Sequence, residues 1–238
     1  MPERIIALIP AFNEETKIGH VVRKIPKEIV DEILVINDGS TDATPREAEG
    51  EGAKVYHHEK RRGIGAAIRS GIDYAVANGY DIIVVMAGND KDNPAEIPRL
   101  LEPILKEGYD YVQGSRYLKG GKFGKMPLHR KITTRVYPFL VRFVTGFWAT
   151  DATNGFRAYK THIFQDKRIN IHQSWLDEPL EYYLHLAVLK LNYNVKEVPV
   201  TKLYPSNVSY GKYTKVKPFI GWWKRLKPLM YFMNPFAK

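Results

Sequence analysis

Four short runs of branched and aromatic apolar residues most strongly constrain the fold of this chain. Between them lie stretches in which apolar residues recur every three or four positions, the spacing of an amphipathic helix. Strands that alternate with helices are typical of an α/β protein whose sheet is mostly parallel and flanked by helices. The runs occupy residues 5–9, 33–36, 82–86 and 111–113, and a further strand-like stretch occupies residues 195–200. The clearest helical stretches occupy residues 16–25 and 64–78.

Polar residues follow the first two runs directly. Residues 10–14 (PAFNE) end the first run, and residues 37–42 (NDGSTD) end the second. In open α/β sheets, ligands bind in the crevice outside the carboxyl ends of the strands. We therefore expect the functional site at these two strand ends.

Size and cysteine content narrow the class of protein. The chain has 238 residues and no cysteine. One domain with a tail is expected from this length, with residues 1–205 as the domain. The lack of cysteine excludes a disulfide framework and a thiolate metal site. The first residues lack the basic region and long apolar stretch of a secretory signal, which predicts a cytoplasmic protein.

The charge of the chain is uneven. Much of the net charge of +10 comes from the segment after Glu197, where eight lysines and arginines follow and no acidic residue does. This asymmetry predicts an anionic partner such as phospholipid, lipid phosphate or nucleic acid. Nucleic acid is disfavoured because no recognised binding module accompanies the charge.

The basic tail, residues 206–238, is also amphipathic. Tryptophan beside lysine suits a bilayer interface, so we expect a membrane-surface helix. The alternative is an apolar stripe packed on the domain. Pro228 is expected to bend or interrupt this helix. The apolar residues at roughly helical spacing are Phe219, Trp222, Trp223, Leu226, Met230 and Met233.

A series of short motifs along most of the chain resembles the family-two glycosyltransferases with the A-type fold, especially the branch of dolichyl-phosphate mannose synthase and other polyprenyl-phosphate glycosyltransferases. Each motif alone is weak, whereas the series in the family's order is specific. The resemblance implies inverting transfer of a sugar from a nucleoside diphosphate sugar to a polyprenyl phosphate. Together with the basic tail and the lack of a secretory signal, it predicts a peripheral protein on the cytoplasmic face of a membrane. The motifs occupy residues 10–14, 37–42, 63–71, 114–117, 151–159 and 197–200.

The resemblance places the nucleotide at the first two motifs. Glu14 can accept hydrogen bonds from ribose hydroxyls, and Asn37 offers both a donor and an acceptor to a base edge. Small residues around Gly65 open a predicted helix whose start favours anions, although a plain helix start explains them equally well. The predicted nucleotide-binding residues are Pro10, Ala11, Phe12, Glu14, Asn37, Ser40, Gly65, Ala87 and Asn89.

Residues 86–94 (MAGNDKDNP) depart from the family at its usual metal site. An ungapped alignment puts Ala87 and Asn89 where the family commonly has an aspartate pair, and Lys91 where a third ligand follows. A divalent ion normally neutralises the diphosphate leaving group. We expect Lys91, together with Arg116, to supply that positive charge.

Two other interpretations of this segment stay open. Asn89, Asp90 and Asp92 carry oxygen donors suited to a hard cation, so a rearranged Mg²⁺ or Mn²⁺ site is one alternative. An exposed polar loop without a charge role is the other. The sequence therefore leaves both metal dependence and metal independence open.

The remaining predicted site residues concern the acceptor. By resemblance, Asp151 lies near the reacting centre, where it would orient the acceptor, position the sugar or act as a base. A phosphate monoester has a second pKa of about 6 and needs relief from repulsion more than it needs a base. Lys91, Arg116 and Asp151 are the predicted catalytic residues. Arg130, Lys131, Lys212 and Lys215 are predicted to bind the acceptor phosphate, with a solvated surface as the alternative.

Two rival functions differ from this prediction. A soluble or glycan acceptor would keep the transfer reaction but change its product. A pseudoenzyme that binds a nucleotide sugar without turnover is the other rival, because the aspartate pair is missing.

Overall fold

The fold is built on a seven-stranded sheet. The computed structural model describes residues 2–204 and 220–233. In the second range, side chains are described from Lys224 onward. The strands are β1 (Ile5–Ala11), β2 (Glu32–Asn37), β3 (Lys54–His57), β4 (Ile82–Val85), β5 (Tyr111–Ser115), β6 (Arg157–Lys160) and β7 (Val195–Pro199). Their order in the sheet is β3-β2-β1-β4-β6-β5-β7. Only β6 runs antiparallel to its neighbours, so the mostly parallel sheet predicted from the sequence is confirmed.

Helices cover both faces of this sheet. They are α1 (Ile18–Arg23), α2 (Thr44–Gly50), α3 (Ile64–Ala77), α4 (Ile97–Glu107), α5 (Leu128–Thr145), α6 (Leu180–Lys190) and α7 (Ile220–Met233). Alternation along β1 divides the core, because successive strand side chains point to opposite faces. Ile6 and Leu8 join the cluster formed with α3, α5, α6 and α7. Ala7 and Ile9 join the cluster formed with α1, α2 and α4.

Two strands were not predicted. β3 is an edge strand paired on one side with β2, and its four residues include a single aliphatic side chain, Val55. β6 is buried between β4 and β5, but its sequence is RAYK. Neither segment carries the run of apolar residues by which the other strands are recognised.

Helix α7 lies against α5 and α6 rather than apart from the domain. Leu229 is buried, and the Phe232 ring stacks on Tyr183 with centroids 5.4 Å apart. The Tyr137 hydroxyl of α5 donates a hydrogen bond of 3.1 Å to the carbonyl of Arg225. Pro228 lies inside α7, so the helix is not interrupted there. The side chains of Phe219, Trp222 and Trp223 lie outside the described residues.

Among the residues that the structure describes, no helix combines the length and the hydrophobicity that a bilayer crossing requires.

Candidate active site

A cavity of about 510 Å³ opens at the carboxyl ends of β1 and β4. Its wall includes residues from α5 and α7, so distant parts of the sequence meet there. The predicted site residues that line it are Pro10, Ala11, Phe12, Glu14, Ala87, Asn89, Lys91, Arg116 and Arg130.

Asn37 and Ser40, which were predicted to bind the nucleotide, join two loops beside the cavity. The side-chain oxygen Oδ1 of Asn37 accepts a hydrogen bond of 3.0 Å from the Ser40 N–H. The Ser40 hydroxyl in turn accepts one of 3.0 Å from the Asn13 N–H. These bonds fix the loop after β2 against the loop after β1. Neither of the two predicted residues lines the cavity itself.

Phe12 forms an aromatic surface at this end of the cavity. The guanidinium carbon of Arg61 lies 4.4 Å from the centroid of the Phe12 ring, a cation–π contact. The Glu14 carboxylate, also in the wall, accepts a hydrogen bond of 2.8 Å from Lys17. Together they present an apolar ring, a cation and a carboxylate to the same space.

Asp38 was not among the predicted site residues, although it belongs to the second motif. It lines the cavity, and its carboxylate accepts hydrogen bonds from the N–H groups of Arg62 and Gly63, at 2.8 and 2.9 Å. The His58 ring nitrogen Nδ1 lies 2.8 Å from the same carboxylate. Asp38 thereby attaches the chain before α3 to the end of β2.

Gly65 does not line the cavity, because another loop covers the start of α3. Its N–H donates a hydrogen bond of 2.8 Å to the carbonyl of Asp177, and the Ala66 N–H donates to the same oxygen. A side chain at Gly65 would place its Cβ 2.1 Å from the carbonyl oxygen of Leu176. The glycine is therefore needed for this close approach of two backbones.

Arg116 and Asp151 form a buried ion pair. Arg116 donates from Nε to Oδ2 of Asp151 at 2.6 Å and from Nη2 to Oδ1 at 2.8 Å. Arg116 reaches the cavity wall, whereas Asp151 is fully buried behind it. Burial alone would raise the pKa of Asp151, but the charge and hydrogen bonds of Arg116 outweigh that effect and lower it.

The backbone around Asp151 is held by a second carboxylate. Glu197 accepts hydrogen bonds from the N–H groups of Thr150 and Asp151, at 2.8 and 2.9 Å. This contact gives Glu197, the first residue of the motif at 197–200, a structural role. It fixes the loop that carries Asp151 and, through Asp151, the orientation of Arg116.

Lys91 is only 4% exposed yet belongs to the cavity wall. Burial and the neighbouring charges of Lys202 and Arg130 together lower its pKa to about 7, against the opposite effect of Glu14 and Asp92. Its ammonium lies 5.1 Å from the centroid of the Tyr204 ring. The fold thus places several cations close together.

Lys202 was not predicted from the sequence. Its ammonium donates to both carboxylate oxygens of Asp92, at 2.6 and 2.8 Å, and lies 3.2 Å from Oδ1 of Asn154. Arg130 approaches the same region from α5 and donates a hydrogen bond of 2.9 Å to the Tyr204 hydroxyl. We call Lys91, Arg130 and Lys202 the cation cluster. The only sequence signal for Lys202 is its position two residues after the motif at 197–200.

Other charged residues complete the wall. Those that were not among the predicted site residues are Arg61, Glu178, Glu181, Lys224 and Arg225. Lys131 lies off the cavity, with its ammonium 5.9 Å from the centroid of the Phe123 ring. Lys212 and Lys215 lie outside the described residues.

The residues at 87–94 do not fit a divalent cation. Asp92 is occupied by Lys202, and Asp90 points to Lys24, whose ammonium lies 3.0 Å from its carboxylate. Asn89 Oδ1 is buried and has no hydrogen-bond partner within the described ranges. In those same ranges, no group of three or more histidine, cysteine, aspartate or glutamate side chains is placed to hold a metal. Lysine ammonium groups pair with these carboxylates instead.

Comparison with known sequences finds one family and several relatives. The family model for Glycosyl transferase family 2 matches residues 6–167. An uncharacterized protein of Methanocaldococcus jannaschii is 32% identical over 202 residues, which cover 85% of this chain and 82% of that protein. A UDP-N-acetylglucosamine–dolichyl-phosphate N-acetylglucosaminyltransferase of Methanococcus voltae is 28% identical, with 86% and 88% covered. A polyprenol monophosphomannose synthase of Mycolicibacterium smegmatis is 29% identical, with 84% and 77% covered.

Comparison with solved structures identifies the fold. Glucosyl-3-phosphoglycerate synthase from Mycobacterium tuberculosis, in complex with Mn²⁺, uridine diphosphate and glucosyl-3-phosphoglycerate, matches with a TM-score of 0.67 at 22% identity. The match covers 97% of this chain and 78% of that one. The A-type fold expected from the motifs is thereby confirmed.

Proposed function

Because this chain belongs to glycosyltransferase family 2, we propose that it moves a sugar from a nucleoside diphosphate sugar to a polyprenyl phosphate. One observation carries the proposal: the Phe12 ring and the cation cluster line a single cavity. That arrangement suits a donor with a nucleoside and a diphosphate. Two similar proteins are named for dolichyl-phosphate and polyprenol substrates, which supports the acceptor.

The nucleoside belongs on the Phe12 side. An aromatic ring beside the Arg61 guanidinium offers a stacking surface to a base. Glu14 lines the same part of the cavity and can accept hydrogen bonds from ribose hydroxyls. Asn37 and Ser40 shape this side through the loops that they join.

The diphosphate belongs at the two lysines of the cation cluster. Lys91 and Lys202 line the cavity from the segment after β4 and the segment after β7, so they approach the ligand from different elements. Fixed positive charge that faces a developing leaving-group charge stabilises the transition state. The lysines would thus perform the neutralisation that a divalent ion performs elsewhere.

Transfer needs one displacement. An acceptor phosphate oxygen attacks the anomeric carbon, the bond from that carbon to the diphosphate oxygen breaks, and the nucleoside diphosphate leaves with the electron pair. Attack from the opposite side inverts the anomeric configuration. An ionised phosphate carries no proton on the attacking oxygen, so the reaction requires no general base.

Arg116 and Asp151 take different roles in this proposal. Arg116 faces the cavity and adds to its positive field. Asp151 is fully buried and already paired, so it acts as a positioning residue for Arg116 rather than as a base. Arg130, which belongs to the cavity wall, is proposed to receive the acceptor phosphate.

The location of the reaction follows from the acceptor. A polyprenyl phosphate resides in a bilayer, so we place the protein peripherally on the cytoplasmic face of a membrane. Residues 1–205 form the catalytic domain in this proposal. Residues 206–238 are the basic tail, which also contacts lipid.

The deciding experiment offers a panel of radiolabelled nucleotide sugars to the purified full chain with short-chain polyprenyl phosphate. A lipid-linked product is expected from one donor, and polyprenol without phosphate should give none. Arg130→Gln should raise KM for the phosphate about tenfold, as expected when one charged hydrogen bond is lost. Lys106→Gln, which changes an exposed lysine on α4, is the control and should alter neither kcat nor KM.

Two results would contradict the proposal. Product formed only with a soluble sugar or glycan would assign a different acceptor. Tight nucleotide binding without turnover of any donor would identify a pseudoenzyme.

A further inference from the structure

Helix α5 exposes a stripe of large apolar side chains along its whole length. Leu128, Phe139 and Phe143 are 72%, 63% and 79% exposed. At about 100° of rotation per residue, the stripe stays within roughly one third of the helix circumference. Its members are Leu128, Ile132, Val136, Phe139, Leu140 and Phe143.

The stripe is not the face by which α5 joins the core. Tyr137, Val141 and Val144 are buried, and they lie on the opposite side of the helix. An ordinary surface helix has one apolar face and one polar face. α5 has an apolar face for the core and a second one that meets solvent, and a large exposed apolar patch marks an interaction surface.

The charge around the stripe indicates the chemistry of its partner. No aspartate or glutamate occurs between Asp110 and Asp151, and eight lysines and arginines do. Lys131, Arg135 and Arg142 fall within about 40° of one another along one edge of the stripe. The surface is therefore apolar in the middle and cationic at its border.

A tryptophan continues the stripe beyond the end of the helix. Trp148 is 59% exposed, and its ring packs edge to face with Phe139, with centroids 6.4 Å apart. The Arg142 guanidinium carbon lies 3.6 Å from the centroid of the Trp148 ring. Tryptophan and arginine side by side are typical of the headgroup level of a bilayer.

We propose that this surface, the α5 stripe with Trp148 and the cationic edge, docks the protein on an anionic phospholipid bilayer. The helix would lie in the plane of the interface with its stripe among the upper acyl chains. Charge complementarity favours lipid over a second copy of the chain, because a symmetric contact would bring the same cations together.

The position of the surface connects it to the cavity. Arg130 and Thr134, from the inner side of α5, belong to the cavity wall. Docking through α5 would thus bring the cavity near the headgroups, where the phosphate of a lipid acceptor lies. This link rests on the proposed function, whereas docking itself does not.

The lack of cysteine in the chain allows a direct test. Phe143→Cys in the full chain is labelled with an environment-sensitive nitrobenzoxadiazole dye and mixed with vesicles of equal parts phosphatidylglycerol and phosphatidylcholine. The emission should shift to the blue and rise about twofold or more, as expected when a dye leaves water for the acyl region. Leu105→Cys, at a 47% exposed position on α4, is the matched control and should show no change.

Vesicle sedimentation measures the strength of docking without any donor or acceptor. Phe139→Gln with Phe143→Gln should weaken partitioning roughly tenfold or more, because two large apolar side chains no longer enter the bilayer. Arg135→Gln with Arg142→Gln should weaken it roughly tenfold at low salt and little at high salt. Leu105→Gln should leave it unchanged.

Transfer assays in solution separate this inference from the proposed function. With a water-soluble short-chain acceptor and no vesicles, the phenylalanine variant should keep wild-type turnover. Vesicle binding without an α5 dye response would assign docking to another surface and overturn the inference. A dimer in sedimentation that the phenylalanine variant dissociates, with no vesicle binding by either, would identify a second copy as the partner. An inactive wild-type protein that still docks would overturn the function alone.

Discussion

Two cations of the same cavity are held in opposite ways. Arg116 has a buried carboxylate partner, Asp151, that matches it with two parallel hydrogen bonds. Lys91 is also buried, but burial and the nearby charges of Lys202 and Arg130 disfavour its charged form more than Glu14 and Asp92 favour it. An anionic ligand adds little to a cation whose charge a fixed ion pair already stabilises, and much to one whose charged form the surroundings disfavour. The comparison distinguishes a cation that shapes the site from one that serves the ligand.

The largest expected effect concerns the paired cation. Asp151→Ala should lower the free energy of unfolding by about 3–5 kcal/mol, because it leaves the Arg116 charge buried without its partner. Urea unfolding followed by circular dichroism measures this loss. Glu102→Ala is the control, since its pair with Lys106 is largely exposed and should contribute little. Equal losses in the two variants would remove the distinction.

The second prediction separates activity from stability at Lys91. Lys91→Met should reduce kcat/KM by about 10²–10³, the usual cost of one group that stabilises a leaving charge. The same change should also raise the free energy of unfolding, because a desolvated charge is removed. Lys106→Met on α4 should alter neither quantity. A loss of stability together with activity would show that Lys91 is structural.

The third prediction is a pH dependence that Lys91 imposes. Its lowered pKa of about 7 means that the ammonium loses its charge as the pH rises through 7. Affinity for the donor should fall roughly tenfold from pH 6 to pH 8, and Lys91→Arg should flatten the profile. Calorimetric titration with the nucleoside diphosphate measures this. Lys202, Arg130, Glu14 and Asp92 also face Lys91. A profile unchanged by Lys91→Arg would show that Lys91 does not cause the pH dependence.

The same lowered pKa has a consequence for stability, with a definite sign. Between about pH 7 and pH 10.5 the unfolded chain binds a proton at Lys91 that the folded chain does not. The free energy of unfolding therefore rises with pH across this window, and the destabilisation by Lys91 is fully present below it. Lys91→Met should remove that contribution.

The smallest expected effect is that of metal. Chelator-treated protein, supplied with Mg²⁺ or Mn²⁺, should change its turnover by no more than about twofold if fixed lysine charge replaces the ion. Strict dependence on either ion would contradict the role assigned to the cation cluster. The measurement uses the same radiolabelled transfer assay, with Lys91→Met as the comparison.

The sequence predicted the local features of the fold and site better than the long-range ones. Lys91 and Arg116 follow strands with strong apolar patterns, so their place near a strand end could be foreseen. Lys202 could not be foreseen in the same way, because it reaches Asp92 across 110 residues of sequence. Only the fold brings that lysine to the segment after β4.

The two amphipathic helices show the same limit. Both α5 and the tail carry apolar and basic residues at helical spacing, and sequence periodicity does not say what each apolar face meets. In the structure, Leu229 of α7 is buried against the domain, whereas Phe143 of α5 is largely exposed. The tertiary packing of each helix, rather than its periodicity, determines which of these side chains are buried.

The cavity wall also sets an order of events during protein synthesis. Pro10 and Arg225 line the same space although 215 positions separate them, as their numbers show. Domains generally fold as units during synthesis. The cavity wall of a nascent chain can therefore be completed only after α7 has left the ribosome and packed on α5 and α6.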